Sequence, residues 1–406
     1  MNKAVQGFKR SKVQTVQAVQ SVGRNEQLRN MSTTFRADNI GSLLRPPELV
    51  AARAALREGR IDSEHLRAIE DRSILAALEM QRAAGVDVFT DGEYRRGNFM
   101  ADFTNTLDGM VPSETIMAPI WRGANRELAN QFRRSDAETV VGAKLWRKTL
   151  GIFRDEAAFL KQHAPGPFKV CVPSVVQFAD SKFKPGVTDK IYPTRRAMVQ
   201  EFAALLRDEV QGLLDAGTSY VQLDGPSYLT HLMDERRREQ LRHMGADPDE
   251  ILDEVISGDN ALIQGLRRGA DTVIGIHFCR GNNRSSWSAE GSYEVIAEKT
   301  FGSLQADRFL MEYDSDRAGG FEPLRFVPKR KTVVLGLITT KEPELESEEL
   351  LCRRIDEAAR YVPLENLALS TQCGFASTLL GNLISSDDMK RKLELVARVA
   401  RKVWGN

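Results

Sequence analysis

The chain has 406 residues, 42% of them hydrophobic and 28% charged, so it can bury a large core and is not disordered throughout. Lysine and arginine total 57 against 56 aspartate and glutamate, and the net charge of +1 creates no long-range field that would attract nucleic acid or anionic lipid. The composition therefore favours a small molecule as the partner of this protein.

No apolar run approaches the roughly 20 residues that span a bilayer, and no signal-peptide core lies near the start. We therefore expect no membrane association and a cytoplasmic location. The scattered cysteines favour reduced thiols or metal ligands over a disulfide scaffold; they are Cys171, Cys279, Cys352 and Cys373.

The first 30 residues are basic and contain little that would form a core, with Glu26 as their single acid. We expect residues 1–33 to be a disordered basic leader. Because Met31 directly precedes the first strand-like segment, an upstream start codon or a fusion remnant explains this leader. An organelle-targeting peptide is the alternative, since such peptides are basic and poor in acids.

After Met31, short β-branched segments alternate with longer amphipathic segments, a pattern typical of parallel strands joined by crossover helices. Eight strands are predicted, at residues 34–41, 86–91, 168–173, 219–224, 272–277, 308–312, 332–337 and 367–371. The clearest helices are predicted at residues 63–84, 195–216, 247–268, 346–361 and 387–403. This order predicts an α/β fold, a single (β/α)8 TIM-type barrel over residues 34–406. The alternative is an open doubly wound sheet, but no Gly-rich phosphate-binding fingerprint follows the first strand.

Two connections are too long for simple turns, one near residues 92–167 and the other at 225–245. The first is predicted to be an insertion with aromatic and basic side chains such as Trp121, Arg122 and Trp146. These side chains suit a lid over a flat or anionic substrate. A helical decoration that packs on the barrel or forms an oligomer contact is the alternative, and the sequence does not specify the oligomeric state.

A metal site is predicted from the ends of three strands. In VIGIHFCRGN, His277 and Cys279 lie two residues apart, so both side chains point to the same side of the sheet. Glu312 ends an apolar run, where a carboxylate needs a partner or a metal, and Cys373 follows the eighth strand. The carboxyl ends of barrel strands meet at one mouth, where the active sites of this fold lie. One imidazole, two thiolates and one carboxylate suit Zn²⁺, and their wide spacing favours a reactive centre over a structural site.

The chain from about Arg36 to the C-terminus resembles the catalytic C-terminal half of cobalamin-independent methionine synthase. That family binds zinc through a His-x-Cys motif, then a Glu, then a Cys followed by Gly. The resemblance implies that His277, Cys279, Glu312 and Cys373 are the zinc ligands of this chain.

Three further segments resemble the parts of that family that bind the amino-acid substrate. NIGSLLR is similar to an Ile-Gly-Ser turn, which implies that Ile40, Gly41 and Ser42 hold the amino acid. GVDVFTDGEYRRGNF and YVQLDGPSYL imply that Glu93 and Asp224 bind the amino group of homocysteine. Taken singly, each residue has a structural alternative, such as a helix cap, a turn or an ion pair.

The resemblance implies a zinc-dependent transferase that alkylates a small-molecule thiol. Methyl transfer to homocysteine from 5-methyltetrahydropteroyl-glutamate, or from another donor such as a methylated corrinoid protein, would give methionine. A free thiol has a pKa of about 8.5 and is mostly protonated at neutral pH, so it needs the metal to become a nucleophile. Glu312 is expected to be the ligand most easily displaced, because carboxylate is the least soft of the four.

The family pattern differs from this chain on the donor side. The complete methionine synthase has a further N-terminal barrel for which this chain has no room, and Thr230 stands where the family has an acid that holds the pterin. Lys341 in ITTKEPE replaces the catalytic histidine, which makes Lys341 the predicted proton donor. A loop lysine paired with Glu342 or Glu344 is the alternative, and His231 is a second possible acid.

Two other functions stay open on the sequence alone. A short relative of the family, epoxyalkane:coenzyme M transferase, opens epoxides with the thiol coenzyme M, whose sulfonate would prefer Arg45, Arg95 or Arg96. The acids Glu93 and Asp224 favour homocysteine instead. A zinc-stabilised barrel that binds a partner without catalysis is the alternative outside enzymes.

Overall fold

The computed structural model describes residues 35–100, 103–114, 118–131, 138–149 and 151–405. The predicted leader, residues 1–33, lies outside the described residues. Within the described ranges, no helix combines the length and the apolar character that crossing a membrane requires.

The central element is a parallel sheet of six strands, and a separate antiparallel hairpin precedes it in the chain. Every residue of the six parallel strands is buried, as expected of a sheet whose outer face is covered by helices. The sheet runs in chain order from β3 to β8, so the strand ends on one edge come from widely separated parts of the sequence. The strands are β1 (Leu107–Pro112), β2 (Thr139–Arg147), β3 (Lys169–Pro173), β4 (Tyr220–Asp224), β5 (Val273–Phe278), β6 (Arg308–Glu312), β7 (Thr332–Ile338) and β8 (Leu367–Thr371).

The first two predicted strands, 34–41 and 86–91, are not continuous strands in the structure. Each makes a single parallel bridge, through Ala37 to β8 and through Phe89 to the residue before β3. The amide of Asp87 donates to the carbonyl of Ala37 at 2.9 Å, which links the two segments. These two segments therefore connect the two edges of the six-stranded sheet, which gives eight extended segments in all, and the predicted (β/α)8 barrel is confirmed.

Side chains replace part of the strand ladder in these two segments. The Asp87 carboxylate accepts hydrogen bonds from the amides of Arg36 and Ala37, at 2.7 and 2.8 Å. The side-chain amide of Asn39 donates to the carbonyl of Val88 at 2.9 Å. Backbone groups that bond to side chains do not extend a ladder, so the β-branched pattern predicted longer strands than those that form.

Helix α2 has the predicted bounds, because Asp62 caps its first turn and Gly85 ends it with a φ of 80°. Helices α5, α8, α10 and α11 lie within a few residues of their predicted ranges. The helices are α1 (Pro47–Arg57), α2 (Ser63–Ala84), α3 (Arg126–Gln131), α4 (Arg154–His163), α5 (Arg195–Asp215), α6 (Ser227–Thr230), α7 (Glu235–His243), α8 (Pro248–Gln264), α9 (Glu294–Ser303), α10 (Glu348–Ala358) and α11 (Ser386–Trp404). Short 3-10 helices are Phe103–Thr106, Val175–Phe178, Thr188–Lys190, Asp316–Ala318, Glu322–Phe326 and Leu364–Asn366.

The long connection at residues 92–167 contains a β-hairpin as well as helix. Strands β1 and β2 pair antiparallel, and α4 follows them. Gly109 and Gly142 interrupt the alternation of side chains along the two strands, which hides the hairpin from a pattern-based prediction. The end of the hairpin where the connecting segment joins the two strands, with Ser113, Glu114, Glu138 and Thr139, reaches the cavity of the candidate site.

Candidate metal and thiol site

Three of the predicted metal ligands meet at the carboxyl end of the sheet. His277 lies near the end of β5, Cys279 directly follows that strand, and Cys373 follows β8. Each offers one ligand atom, and these atoms all lie within 4.8 Å of one another. All three side chains are buried. The barrel thus brings together the residues that the sequence places on separate strand ends.

The protonation of this group suits metal binding. Nδ1 of His277 lies 3.3 Å from the Leu310 carbonyl, which only accepts, so Nε2 is the nitrogen with a free lone pair. The two cysteine sulfurs lie 3.2 Å apart and are not a disulfide. The pKa of the Cys373 thiol is held well below its ordinary value, mainly because the Cys279 thiol donates to it, and His277 favours the thiolate further.

Glu312 lies close to this group but is bound to other partners. It is the last residue of β6 and is fully buried. Its carboxylate accepts hydrogen bonds from the amide of Arg280 at 2.9 Å and from the guanidinium of Arg317 at 3.1 Å. It does not belong to the set whose ligand atoms lie within 4.8 Å of one another. Its role as a fourth ligand stays a prediction.

The acids Glu93 and Asp224 form a second buried cluster with Cys171, again with ligand atoms within 4.8 Å of one another. Burial, together with the neighbouring Asp224, raises the pKa of Glu93 to about 8, although Arg96 opposes this. Burial also raises the pKa of Asp224, whose Oδ1 accepts from Gln222 at 2.8 Å. Within the described part of the chain, Oε2 of Glu93 has no hydrogen-bond partner. Two buried carboxylates with an unused oxygen suit the binding of an ammonium group.

The backbone of Glu93 is held in an uncommon conformation. Its φ of 58° lies in the left-handed region, which few residues other than glycine adopt. Its amide donates to Oδ1 of Asp91 at 2.9 Å, and its carbonyl accepts from Arg45 at 3.0 Å and from the amide of Arg96 at 3.1 Å. Such conformations persist where the surroundings fix them, and they are frequent at functional sites.

The predicted Ile-Gly-Ser turn lies beside the acid cluster. Gly41 has a φ of 126°, and a Cβ at this position would lie 2.6 Å from Sγ of Cys171 and 3.1 Å from Oε1 of Glu93. Only glycine fits such a position without a shift of its neighbours. Ile40 and Ser42, on either side, line the cavity that the acids also line.

One cavity of about 530 Å³ connects the sulfur-rich group with the acid cluster. A cavity of this volume is typical of a small-molecule site. Loops after β3 and β4 and the hairpin complete its wall. Their lining residues include Glu114, Trp121, Glu138, Ser181, Lys182, Thr230 and His231.

Comparison with known sequences shows which family the chain belongs to. The profile described as "Cobalamin-independent synthase, Catalytic domain" matches residues 32–386. The chain belongs to this family. The uncharacterized protein YxjH of Bacillus subtilis (strain 168) is 36% identical over 378 residues, which cover 91% of this chain and 95% of that protein. The methionine synthase of Pyrococcus abyssi (strain GE5 / Orsay) is 23% identical over 368 residues, which cover 89% of this chain and 92% of that enzyme.

Solved structures share the fold. A B12-independent methionine synthase from Shewanella sp. W3-18-1, solved in complex with selenomethionine, aligns with a TM-score of 0.68 at 21% identity. The alignment covers 91% of this chain and 98% of that chain. Membership of the cobalamin-independent synthase family confirms the resemblance found in the sequence, and it confirms that the protein is a methyltransferase.

Lys341, the predicted proton donor of this methyltransferase, does not lie among the residues that line the cavity. Its ammonium donates to Oδ1 of Asn282 at 2.9 Å and to the carbonyl of Gly281 at 3.4 Å. The predicted alternative, pairing with Glu342 or Glu344, is not what the structure shows. Lys341 instead holds Asn282, which does line the cavity.

Two side chains that were not predicted as site residues support the acid cluster. The side-chain amide of Gln222, in the middle of β4, donates to the carbonyl of Ile40 and to Asp224, both at 2.8 Å. Cys171 occupies the middle of β3. The signal for Gln222 was its spacing, because residues two apart on a strand face the same side and Asp224 was already a predicted site residue.

Proposed function

We propose that this methyltransferase methylates the thiol of homocysteine to form methionine, with zinc as its metal. The observation that carries the proposal is a single cavity lined by the sulfur-rich group, His277, Cys279 and Cys373, and by the buried acids Glu93 and Asp224. Homocysteine has a thiol at one end and an ammonium group near the other. Its two ends therefore match the two clusters.

The residues present fit a zinc ion. Thiolate and imidazole are the ligands that zinc prefers, and Nε2 of His277 is buried without a hydrogen-bond partner in the described part of the chain. We propose His277, Cys279 and Cys373 as ligands, with Glu312 as the fourth. Glu312 is the most easily displaced of these, because two hydrogen-bond donors already hold its carboxylate. Zinc bound here would lower the pKa of a coordinated thiol.

The acids fix the orientation of the substrate. The ammonium group of homocysteine supplies the positive charge that Glu93 and Asp224 lack, while the turn of Ile40, Gly41 and Ser42 holds the amino-acid portion. With that end fixed, the sulfur points toward the other cluster. Such alignment favours in-line attack of the sulfur on a methyl group.

The methyl donor is proposed to be 5-methyltetrahydropteroyl-glutamate or another methyl carrier, such as a methylated corrinoid protein. The cavity of about 530 Å³ is larger than an amino acid requires, so it has space for part of a donor. Trp121 offers this donor an aromatic wall.

The arginines that a sulfonate substrate would need are bound elsewhere. Arg45 donates to backbone carbonyls, Arg95 pairs with Asp71 at 2.7 Å, and Arg96 pairs with Glu156. All three arginines are among the described residues, and none of them lines the cavity. This arrangement supports an amino-acid thiol over coenzyme M.

A transfer assay with purified zinc-loaded protein tests the proposal. Homocysteine and coenzyme M are offered as acceptors, with methyl-folate, methylcobalamin and a small epoxide as alkyl donors. We expect methionine from homocysteine with at least one methyl donor, and no thioether from coenzyme M. A thioether from coenzyme M and the epoxide, without any methionine, would overturn the proposed substrates.

X-ray absorption at the zinc edge tests the metal site separately. Addition of homocysteine should give the zinc one more sulfur neighbour, because the substrate takes a coordination position. An unchanged spectrum at saturating homocysteine would contradict a reactive zinc site.

A further inference from the structure

The cavity has a second histidine, His231, far from the sulfur-rich group in the sequence. His231 directly follows α6 in the loop after β4, and it lines the cavity. Its Nδ1 lies 2.6 Å from Oδ2 of Asp180, which belongs to the loop after β3. Two separate barrel loops therefore meet in an imidazole–carboxylate pair at the cavity wall.

Asp180 is placed to hold this imidazole ring in a fixed orientation. Its side chain is 6% exposed, whereas that of His231 is 17% exposed. Burial alone would raise the pKa of Asp180, but His231 outweighs burial and holds that pKa below its ordinary value. Asp180 thus stays a carboxylate beside Nδ1, and Nε2 is the ring nitrogen left for a molecule in the cavity.

The other cationic side chains near the cavity are engaged differently. Lys341 donates to Asn282 and Gly281 and does not line the cavity. Lys182 lines the cavity, and its ammonium donates to the carbonyl of Thr139 at 2.9 Å. Among the described cavity residues outside the sulfur-rich group, His231 is the imidazole that can give up a proton to a ligand.

We infer that His231 donates a proton to the leaving nitrogen of an N-methyl amine donor, and that Asp180 is its positioning residue. The inference rests on the proposed function. The S–CH3 bond forms as the N–CH3 bond breaks, and the imidazolium Nε2–H passes its proton to the nitrogen. The neutral imidazole then recovers a proton that the next homocysteine thiol releases as it becomes a thiolate, so the cycle closes.

A comparison of two methyl donors distinguishes proton donation by His231 from a purely structural role of this residue. Methyl-tetrahydrofolate has an amine nitrogen that must be protonated as it leaves, whereas methyl iodide releases iodide and needs no proton. We expect His231→Gln to lower kcat with methyl-tetrahydrofolate by about 100-fold or more. The KM for the folate, the zinc content and the rate with methyl iodide should change little.

Asp180→Asn and Asp180→Glu test the positioning role. The amide should lower kcat with the folate without raising its KM, and the longer carboxylate should restore part of the loss. Lys341→Met is the matched control, and it should affect both donors by the same factor, because Lys341 acts through Asn282.

The outcomes divide clearly. An equal loss with both donors in His231→Gln, or full folate turnover in that variant, would overturn the inference and leave the proposed function standing. A selective folate loss in Lys341→Met alone would move the acid role to Lys341. A wild-type enzyme that methylates homocysteine with neither donor would overturn the proposed function, and the inference with it.

Discussion

The two ends of the barrel handle buried charge in opposite ways. At the amino end, Lys169 begins β3 and pairs with Asp38 at 2.7 Å, and both side chains are fully buried. It also donates to the Gln222 side chain at 2.8 Å. At the carboxyl end, Glu93 and Asp224 are buried together, no described residue forms a salt bridge with either acid, and burial raises both pKa values. A completed pair serves the fold, whereas an incomplete cluster of like charges marks a place for a ligand.

The largest effect is expected at the sulfur-rich group of the carboxyl end. Cys279→Ser or Cys373→Ser should remove most of the zinc and reduce methyl transfer to background, because the set loses a soft ligand. The barrel should stay folded, since the ligands lie at its mouth. Metal analysis and circular dichroism check this, with Cys352→Ser as the control, because Cys352 lies in α10 away from the cavity. Full zinc content in Cys373→Ser would sink the assignment.

The completed pair at the amino end should dominate stability. Lys169→Met removes the closer of the two cations beside the buried Asp38 and leaves only Arg308, at 3.9 Å, so we expect urea unfolding to show a loss of about 3–5 kcal/mol in the free energy of unfolding. Lys402→Met removes the exposed pair with Glu348, at 3.4 Å, and should cost about 1 kcal/mol or less. Equal losses in the two variants would contradict the distinction between the ends of the barrel.

The incomplete cluster should behave differently when its charge is removed. Glu93→Gln or Asp224→Asn should raise the KM for homocysteine about 10- to 150-fold, equivalent to roughly 1.5–3 kcal/mol for a charge-assisted hydrogen bond. Because the folded pKa of Glu93 is raised to about 8 from 4.5, wild type loses stability as pH rises across this window. As pH rises from 5 to 9, the substrate-free Glu93→Gln protein should therefore gain stability relative to wild type. Unchanged homocysteine kinetics in both variants would point to a different acceptor.

A subtler consequence concerns the proton on Glu93. Methionine carries the same ammonium group as homocysteine but no thiol, so its binding reports on the acids alone. We expect methionine to bind more tightly as pH rises from about 6.5 to 8.5, with protons released at the lower pH. Calorimetry in buffers of different ionisation enthalpy measures this release. Glu93→Gln should abolish it, and release that persists in the variant would assign the proton to another group.

The smallest effect is expected from Lys341→Met. The sequence predicts a proton donor, which would give a selective loss with methyl-folate, whereas the contact with Asn282 predicts an equal, few-fold loss with every donor. Parallel rates with methyl-folate and methylcobalamin decide between the two. Fast folate turnover that survives the change would remove any part for Lys341 in proton transfer.

The sequence by itself determined the barrel order and the residues with metal or acid chemistry. His277 and Cys279 lie two residues apart at the end of one strand, so local spacing was enough to place both side chains on one side of the sheet, at the barrel mouth. The binding roles of Glu93 and Asp224 came from the resemblance to the family. The lengths of the first two strands were overestimated because the side chains of Asp87 and Asn39 bond to backbone groups that would otherwise pair between strands. A pattern of apolar residues does not reveal such bonds.

Only the tertiary structure decided which charges are paired. Arg317 donates a hydrogen bond to Glu312, and the ammonium of Lys341 donates one to Asn282. Asp180 pairs with His231, which lies on a different loop. Each of these contacts depends on where separate loops converge and on how deeply they are buried. Electrostatic partners therefore follow from three-dimensional distance, which strand periodicity does not encode.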